Sequence, residues 1–253
     1  MLFIFICIGI ALYVHKKIKG EGDFMLSDRD LRRLAEEKDM INPFNPSNCE
    51  GATINLTLNP KIKKYISDEQ IIMGKQVNED QYEKIDISER DFFIKSGESV
   101  LVQCNEYFKI PTNLAAIILE RYSIKLLGLM ISPASYMNPG YEGTMSFVAV
   151  NHSPVPIQLI PGVKFCQLAL LELSSEPEKP YRKQEAKYLE STDVSISKLH
   201  LDKEIQEFLK ERGIEKVSQE MATDLGVYLM NHIHESAKEL ADILRKEFGE
   251  PVK

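Results

Sequence analysis

The chain has 253 residues, a formal net charge of −7 at pH 7 and a pI near 5.4. That length suits one well-buried domain with appendages, and the acidic balance excludes a general nucleic-acid binder, because phosphate backbones are held by clustered Lys and Arg. The four cysteines, Cys7, Cys49, Cys104 and Cys166, form no CxxC and no Cys/His pairing, so they encode neither a zinc site nor a disulfide framework. They are expected to be reduced, buried residues of a cytosolic protein.

Leu2 to Val14 carries no charge and is followed at once by His15, Lys16, Lys17 and Lys19. Charge after the apolar run is the reverse of a cleavable signal peptide, and lysines on that side orient the body to the cytoplasm. The run falls short of the roughly 20 apolar residues that a full crossing needs. Two readings stay open. One is a short membrane anchor, a transmembrane helix at its lower limit, that tethers a cytoplasmic protein through residues 2–14. The other is an extension from an upstream start codon, with the domain beginning near Met25. Residues 1–24 are thus set apart from a body over 25–200 and a helical extension over 201–253.

Ser27-Asp28-Arg29-Asp30 ahead of Leu31 and Leu34 is a capping signature, with Ser27 accepting from the first turn and Asp30 favoured by the helix dipole. It predicts a helix from Asp28 to about Lys38, which Asn42-Pro43-Phe44-Asn45-Pro46-Ser47 then breaks. Strict alternation over Ala52–Leu58 reads as a strand. Further strands are expected over 99–104, 115–119, 145–150, 155–160 and 167–173, punctuated by Gly97, Pro111, Pro139-Gly140, Ser153-Pro154 and Pro161-Gly162. Strands at this spacing imply a mainly β fold, a barrel or double-sheet jelly roll.

The helical period returns after Leu201. Apolar residues three and four apart run from Ile205 to Phe248, and Gly213 divides them into a short helix and one of roughly thirty residues. Such a stripe needs a partner surface, either the barrel or its own copies in the common case, or another protein. His232 and His234 lie two apart and point to different helix faces, which makes a joint metal site improbable.

Several segments together resemble the dCTP deaminase branch of the trimeric dUTPase superfamily. They are Met25-Leu26-Ser27-Asp28-Arg29-Asp30, Gly51-Ala52-Thr53-Ile54-Asn55-Leu56, Glu120 to Leu129, Tyr136 to Asn151, and Ala186-Lys187-Tyr188. The resemblance covers about 180 of the 253 residues in order. It implies a distorted jelly-roll barrel, a homotrimer with sites between subunits, a dCTP- or dUTP-type ligand, no zinc, and Mg2+ only as the companion of a bound triphosphate.

In that family a glutamate activates the water that attacks C4 of cytosine; its position falls on Val148, which cannot move a proton. The family aspartate that orients the sugar falls on Asn138, which hydrogen-bonds but is no base. Asn55 likewise replaces a strand aspartate. In the phosphate segment Arg121 and Ser123 are kept, while Tyr122 and Leu126 stand for a serine and an arginine. Phe147, Tyr181 and Lys187 match nucleotide-facing positions, and Ser191 replaces a glutamine. Each has a plainer reading: Arg121 as an interface ion-pair partner, Lys187 as a solvated tail residue, Asn138 as a turn former, Val148 as a core residue. Glu142 is separated from Val148 by too much chain to replace the lost acid.

The leading functional expectation is a degenerate deaminase-like protein, a pseudoenzyme that binds a pyrimidine nucleotide as a sensor or scaffold. The alternatives are an active dCTP deaminase, with or without dUTP hydrolysis, that supplies dUMP for thymidylate synthesis, and an interaction module working through the C-terminal helix.

Overall fold

The computed structural model describes residues 25–132 and 135–213. They divide into two units, one holding residues 25–70 and 77–198 and the other holding 71–76 and 199–213. Every strand lies in the first.

Helix α1, Asp28–Lys38, forms where the capping signature places it and buries Leu31, Leu34 and Ala35. The cap itself differs: Ser27 makes no side-chain bond to the first turn, and its hydroxyl instead donates to Asp30 Oδ2 at 3.3 Å. The strands follow as β1 (Ile41–Asn42), β2 (Cys49–Glu50), β3 (Thr53–Thr57), β4 (Lys61–Tyr65), β5 (Tyr82–Asp86), β6 (Phe92–Ile94), β7 (Ser99–Lys109) and β8 (Leu114–Glu120). After the one-turn helix α2, Tyr122–Lys125, come β9 (Leu129–Ile131), β10 (Ser135–Met137), β11 (Glu142–Asn151), β12 (Ile157–Leu159) and β13 (Lys164–Glu172).

One sheet has the order β5-β4-β7-β11-β9, with β1 also on β7; the other runs β10-β8-β13-β3-β2. The pairs are antiparallel, and β12 pairs with β6. Inward residues of both sheets form one apolar cluster: Val102, Phe147 and Ala149 from the first, Ile54, Leu56, Ile118, Phe165 and Leu168 from the second. Phe147 meets Phe165 edge to face, 5.7 Å between centroids, across the two layers. This is the expected mainly β, jelly-roll class of fold.

Cys49, Cys104 and Cys166 are free and buried, and burial pushes the Cys104 thiol up to about 12. Cys7 lies outside the described residues. In the second unit helix α3, Lys203–Glu211, ends before Gly213 at φ 66, so the predicted short helix forms. The longer helix expected beyond it, with His232 and His234, lies outside the described residues.

The membrane expectation is corrected. Among the described residues no helix is long and apolar enough to cross a membrane. Residues 2–14 lie outside them, and thirteen residues at about 1.5 Å each rise only about 20 Å against a hydrocarbon core of about 30 Å. Neither a transmembrane helix nor a membrane-tethered location is retained.

Candidate functional site

β11 carries the candidate positions on its two faces. Phe147, Ala149 and Asn151 point inward and are buried, while Ser146, Val148 and Val150 point outward. Val148 is therefore not the core residue that its β-branched type suggested: it is 38 % exposed, opposite Leu101 of β7. The side chain of Phe147, a candidate ligand contact, is in the core. Next to Val148 on the same face, Ser146 lies opposite Gln103 of β7. The two-strand register is reset just before this point, where Cys104, Asn105 and Glu106 of β7 face the single Met145.

The chain after β13 returns to this face and crosses it as a strap. Tyr181 N–H donates to Pro139 O at 2.8 Å, and the Tyr181 ring lies against Tyr141, 5.5 Å between centroids. Arg182 is ion-paired to Glu142 and to Glu190, the latter at 3.0 Å. Ser191 forms a parallel bridge with Gly143, its carbonyl accepting from Thr144 N at 2.8 Å and Thr144 Oγ1 at 3.0 Å. Gly143, at φ 139, is needed for this approach, because a Cβ there would lie 3.1 Å from Ser191 N.

Beyond Ser191 the strap bonds outward side chains on three strands in succession. Ser195 N–H donates to Ser146 Oγ on β11 at 2.9 Å, Gln103 Nε2 on β7 donates to Thr192 O at 3.5 Å, and Lys63 Nζ on β4 donates to Val194 O. Lys63, whose side chain is 3 % exposed, also meets Glu79 at 2.9 Å and Asp193 at 3.7 Å. Burial pushes the Glu79 carboxyl up, but hydrogen bonds and charge from Lys63 and Lys84 outweigh it and hold the group below the usual carboxylate range. Lys187 is part-buried, and its carbonyl accepts from Lys198 Nζ at 2.7 Å.

Asn138, Tyr181 and Ser191 are thus gathered at the start of β11, and the far end of the strap reaches Ser146, two residues from Val148. Arg121 and Ser123 stand apart from that group at the end of β8. Arg121 caps α2, its N–H donates to Phe165 O at 3.0 Å, and its guanidinium makes one bond, to Lys164 O at 3.4 Å. It makes no ion pair among the described residues. Ser123 is exposed. The loop behind them is pinned by Gly128, at φ 83, where a Cβ would meet Ser153 Cβ at 2.9 Å.

Other carboxylates do not serve position 148. Glu142 is six residues away on the same strand, about 20 Å at 3.3 Å per residue, and is bound by Arg182 and Tyr107. Glu120 accepts from Ile131 N–H on the open edge of β9 and pairs with Lys125 at 3.2 Å. Asn55 is buried and donates to Asn48 O at 3.2 Å. Among the described residues no group of three or more His, Cys, Asp and Glu is placed to hold a metal. Lys63 and Gln103 were not found by sequence reasoning; both lie in ordinary strand context, and only the fold brings the strap over them.

The sequence pattern of the dCTP deaminase-like family matches residues 25–173. A protein of Persephonella marina named dCTP deaminase, dUMP-forming, is 29 % identical over 182 residues, 71 % of this chain and 99 % of that one. One of the same name from Dictyoglomus turgidum is 32 % identical over 186 residues, 70 % of this chain and 96 % of that one. The crystal structure of 2'-deoxycytidine 5'-triphosphate deaminase from Agrobacterium tumefaciens aligns with a TM-score of 0.49 at 16 % identity, over 60 % of this chain and 48 % of that one. The chain belongs to the dCTP deaminase-like family.

Proposed function

We propose that this chain binds a pyrimidine deoxynucleoside triphosphate through its 25–200 body, as a homotrimer, and does not deaminate it. The observation that carries the reading is Val148: a part-exposed hydrocarbon at the position where the resemblance puts the water-activating acid, with Glu142 and Glu120 both engaged elsewhere. Losing a general acid/base costs about 10²- to 10⁴-fold in rate. Arg121 supports anion binding, since its planar fork of donors is mostly unspent; Ser123, Asn138, Tyr181, Lys187 and Ser191 complete the ligand set. Exposed Leu119, Tyr136, Leu126 and Leu127 supply an apolar surface for trimerisation.

A second reading, an active dCTP deaminase that forms dUMP, is favoured by the names of the relatives, which match this chain over nearly their whole length. A panel of dCTP, dUTP and dTTP, scored for thermal shift and for ammonia release, separates the two. The expected result is a shift that Arg121→Ala removes, without ammonia release above background. Sustained release from dCTP establishes the enzyme instead, and no shift with any nucleotide leaves the interaction module.

A further inference from the structure

One polar atom beside Val148 has no partner. Gln103 is 2 % exposed, and its Oε1, closed to solvent, receives no hydrogen bond. The amide orientation is fixed by Thr192, whose carbonyl can only accept and so draws Nε2 toward the strap. Val102 and Cys104 on either side are buried in the core, so Gln103 projects to the outer face, opposite Ser146 and two residue pairs from Val148 on the same face. The Ser146 hydroxyl accepts from Ser195 N–H and does not reach Gln103. A buried acceptor without a donor is destabilising, and native proteins that keep one commonly do so at a functional site.

We infer that Gln103 reads the base of the bound nucleotide, its Oε1 accepting from the 4-amino group of a cytosine-type ring. The inference rests on the nucleotide-binding reading above and adds to it a selectivity. Cytosine presents an N–H donor at its 4-position, whereas uracil and thymine present a carbonyl oxygen there. A carbonyl facing Oε1 is repelled, and a site with a buried polar group discriminates strongly against an analogue that leaves it unpaired. Because the strap bonds the Gln103 amide through Thr192 O and the Ser146 hydroxyl through Ser195 N–H, the ring enters beneath the strap, next to Ser146 and Val148.

The test is calorimetric titration of the full-length protein and of Gln103→Met with dCTP and dUTP, with melting temperatures of the free proteins alongside. The parent is expected to prefer dCTP at least tenfold, and Gln103→Met to bring the two within about twofold while keeping binding. The free variant should melt at or above the parent: the orphan acceptor is gone, and Thr192 is exposed, so water replaces the long bond to its carbonyl. A purely structural glutamine gives the opposite pattern, a lower melting temperature and an unchanged preference, and that overturns the inference. Equal affinities in the parent overturn it while leaving nucleotide binding in place. Absence of binding by either nucleotide removes both readings.

Discussion

Replacing Lys63 with methionine tests whether the strap is held from below. Methionine keeps the length of the side chain and removes its charge and donors. Glu79 and Asp193 are 51 % and 55 % exposed, so each rehydrates when the ammonium is lost, and pairs of this kind contribute about 0–1 kcal/mol. The larger effect falls on Val194, which is 1 % exposed and whose carbonyl accepts from Lys63. A buried acceptor left without its donor costs about 1–3 kcal/mol, partly offset because a buried ammonium is no longer desolvated. A net loss of about 2 kcal/mol corresponds to roughly 4–8 °C in melting temperature for a domain of this size. Hydrogen exchange should quicken at the Thr144 and Ser195 amides, which bond the strap to β11. The loss should also depend on pH. The Glu79 carboxyl is held low in the fold, so its contribution is present above the usual carboxylate range and vanishes as pH falls through its folded pKa. Parent and variant should therefore draw closer in acid by that ion-pair share, about 0–1 kcal/mol, while the part of the loss that falls on the Val194 carbonyl persists. Equal melting at pH 7 with unchanged exchange at both amides would refute the account.

Glu106 is buried and accepts from Thr57 N and Thr57 Oγ1, and burial pushes its carboxyl up. Its protonation stabilises the fold, so this contribution is lost as pH rises through the folded pKa, and denaturation midpoints across pH 4–7 should show a flatter profile for Glu106→Gln. Gly143→Ala places a Cβ against Ser191 at a positive φ and should cost more than about 1 kcal/mol; limited trypsin digestion should then cleave after Arg182 and Lys187 faster than in the parent. Cys49, Cys104 and Cys166 should resist a thiol reagent in the native protein and react together on unfolding, since all three are buried and Cys104 is pushed up to about 12.

What the sequence discloses follows from how each element is stabilised. α1 buries one face against the core, and β3, β8 and β13 are apolar segments between turn residues, buried over most of their length, so periodicity and punctuation mark them. β4 is hidden because Lys61-Ile62-Lys63-Lys64-Tyr65 reads as a charged stretch; it becomes a strand interior only when Val194, Glu79 and Asp193 receive Lys63. The strap over 181–195 has no period at all, since it is held by side chains on strands distant in sequence. Position 148 combines both limits. Phe147-Val148-Ala149-Val150 is apolar on either phase, so alternation cannot say which set faces inward, and a valine there reads most simply as core. The phase is set by neighbours: Asn151 turns inward to donate to Ile94 O and Val155 O, both at 2.8 Å, and that fixes Val148, three residues back along the strand, outward. The same phase puts Ser146 beneath the strap and Gln103 beside it. A hydrocarbon at position 148 is thus not absorbed by packing, which is why its chemistry bears on function rather than on the core.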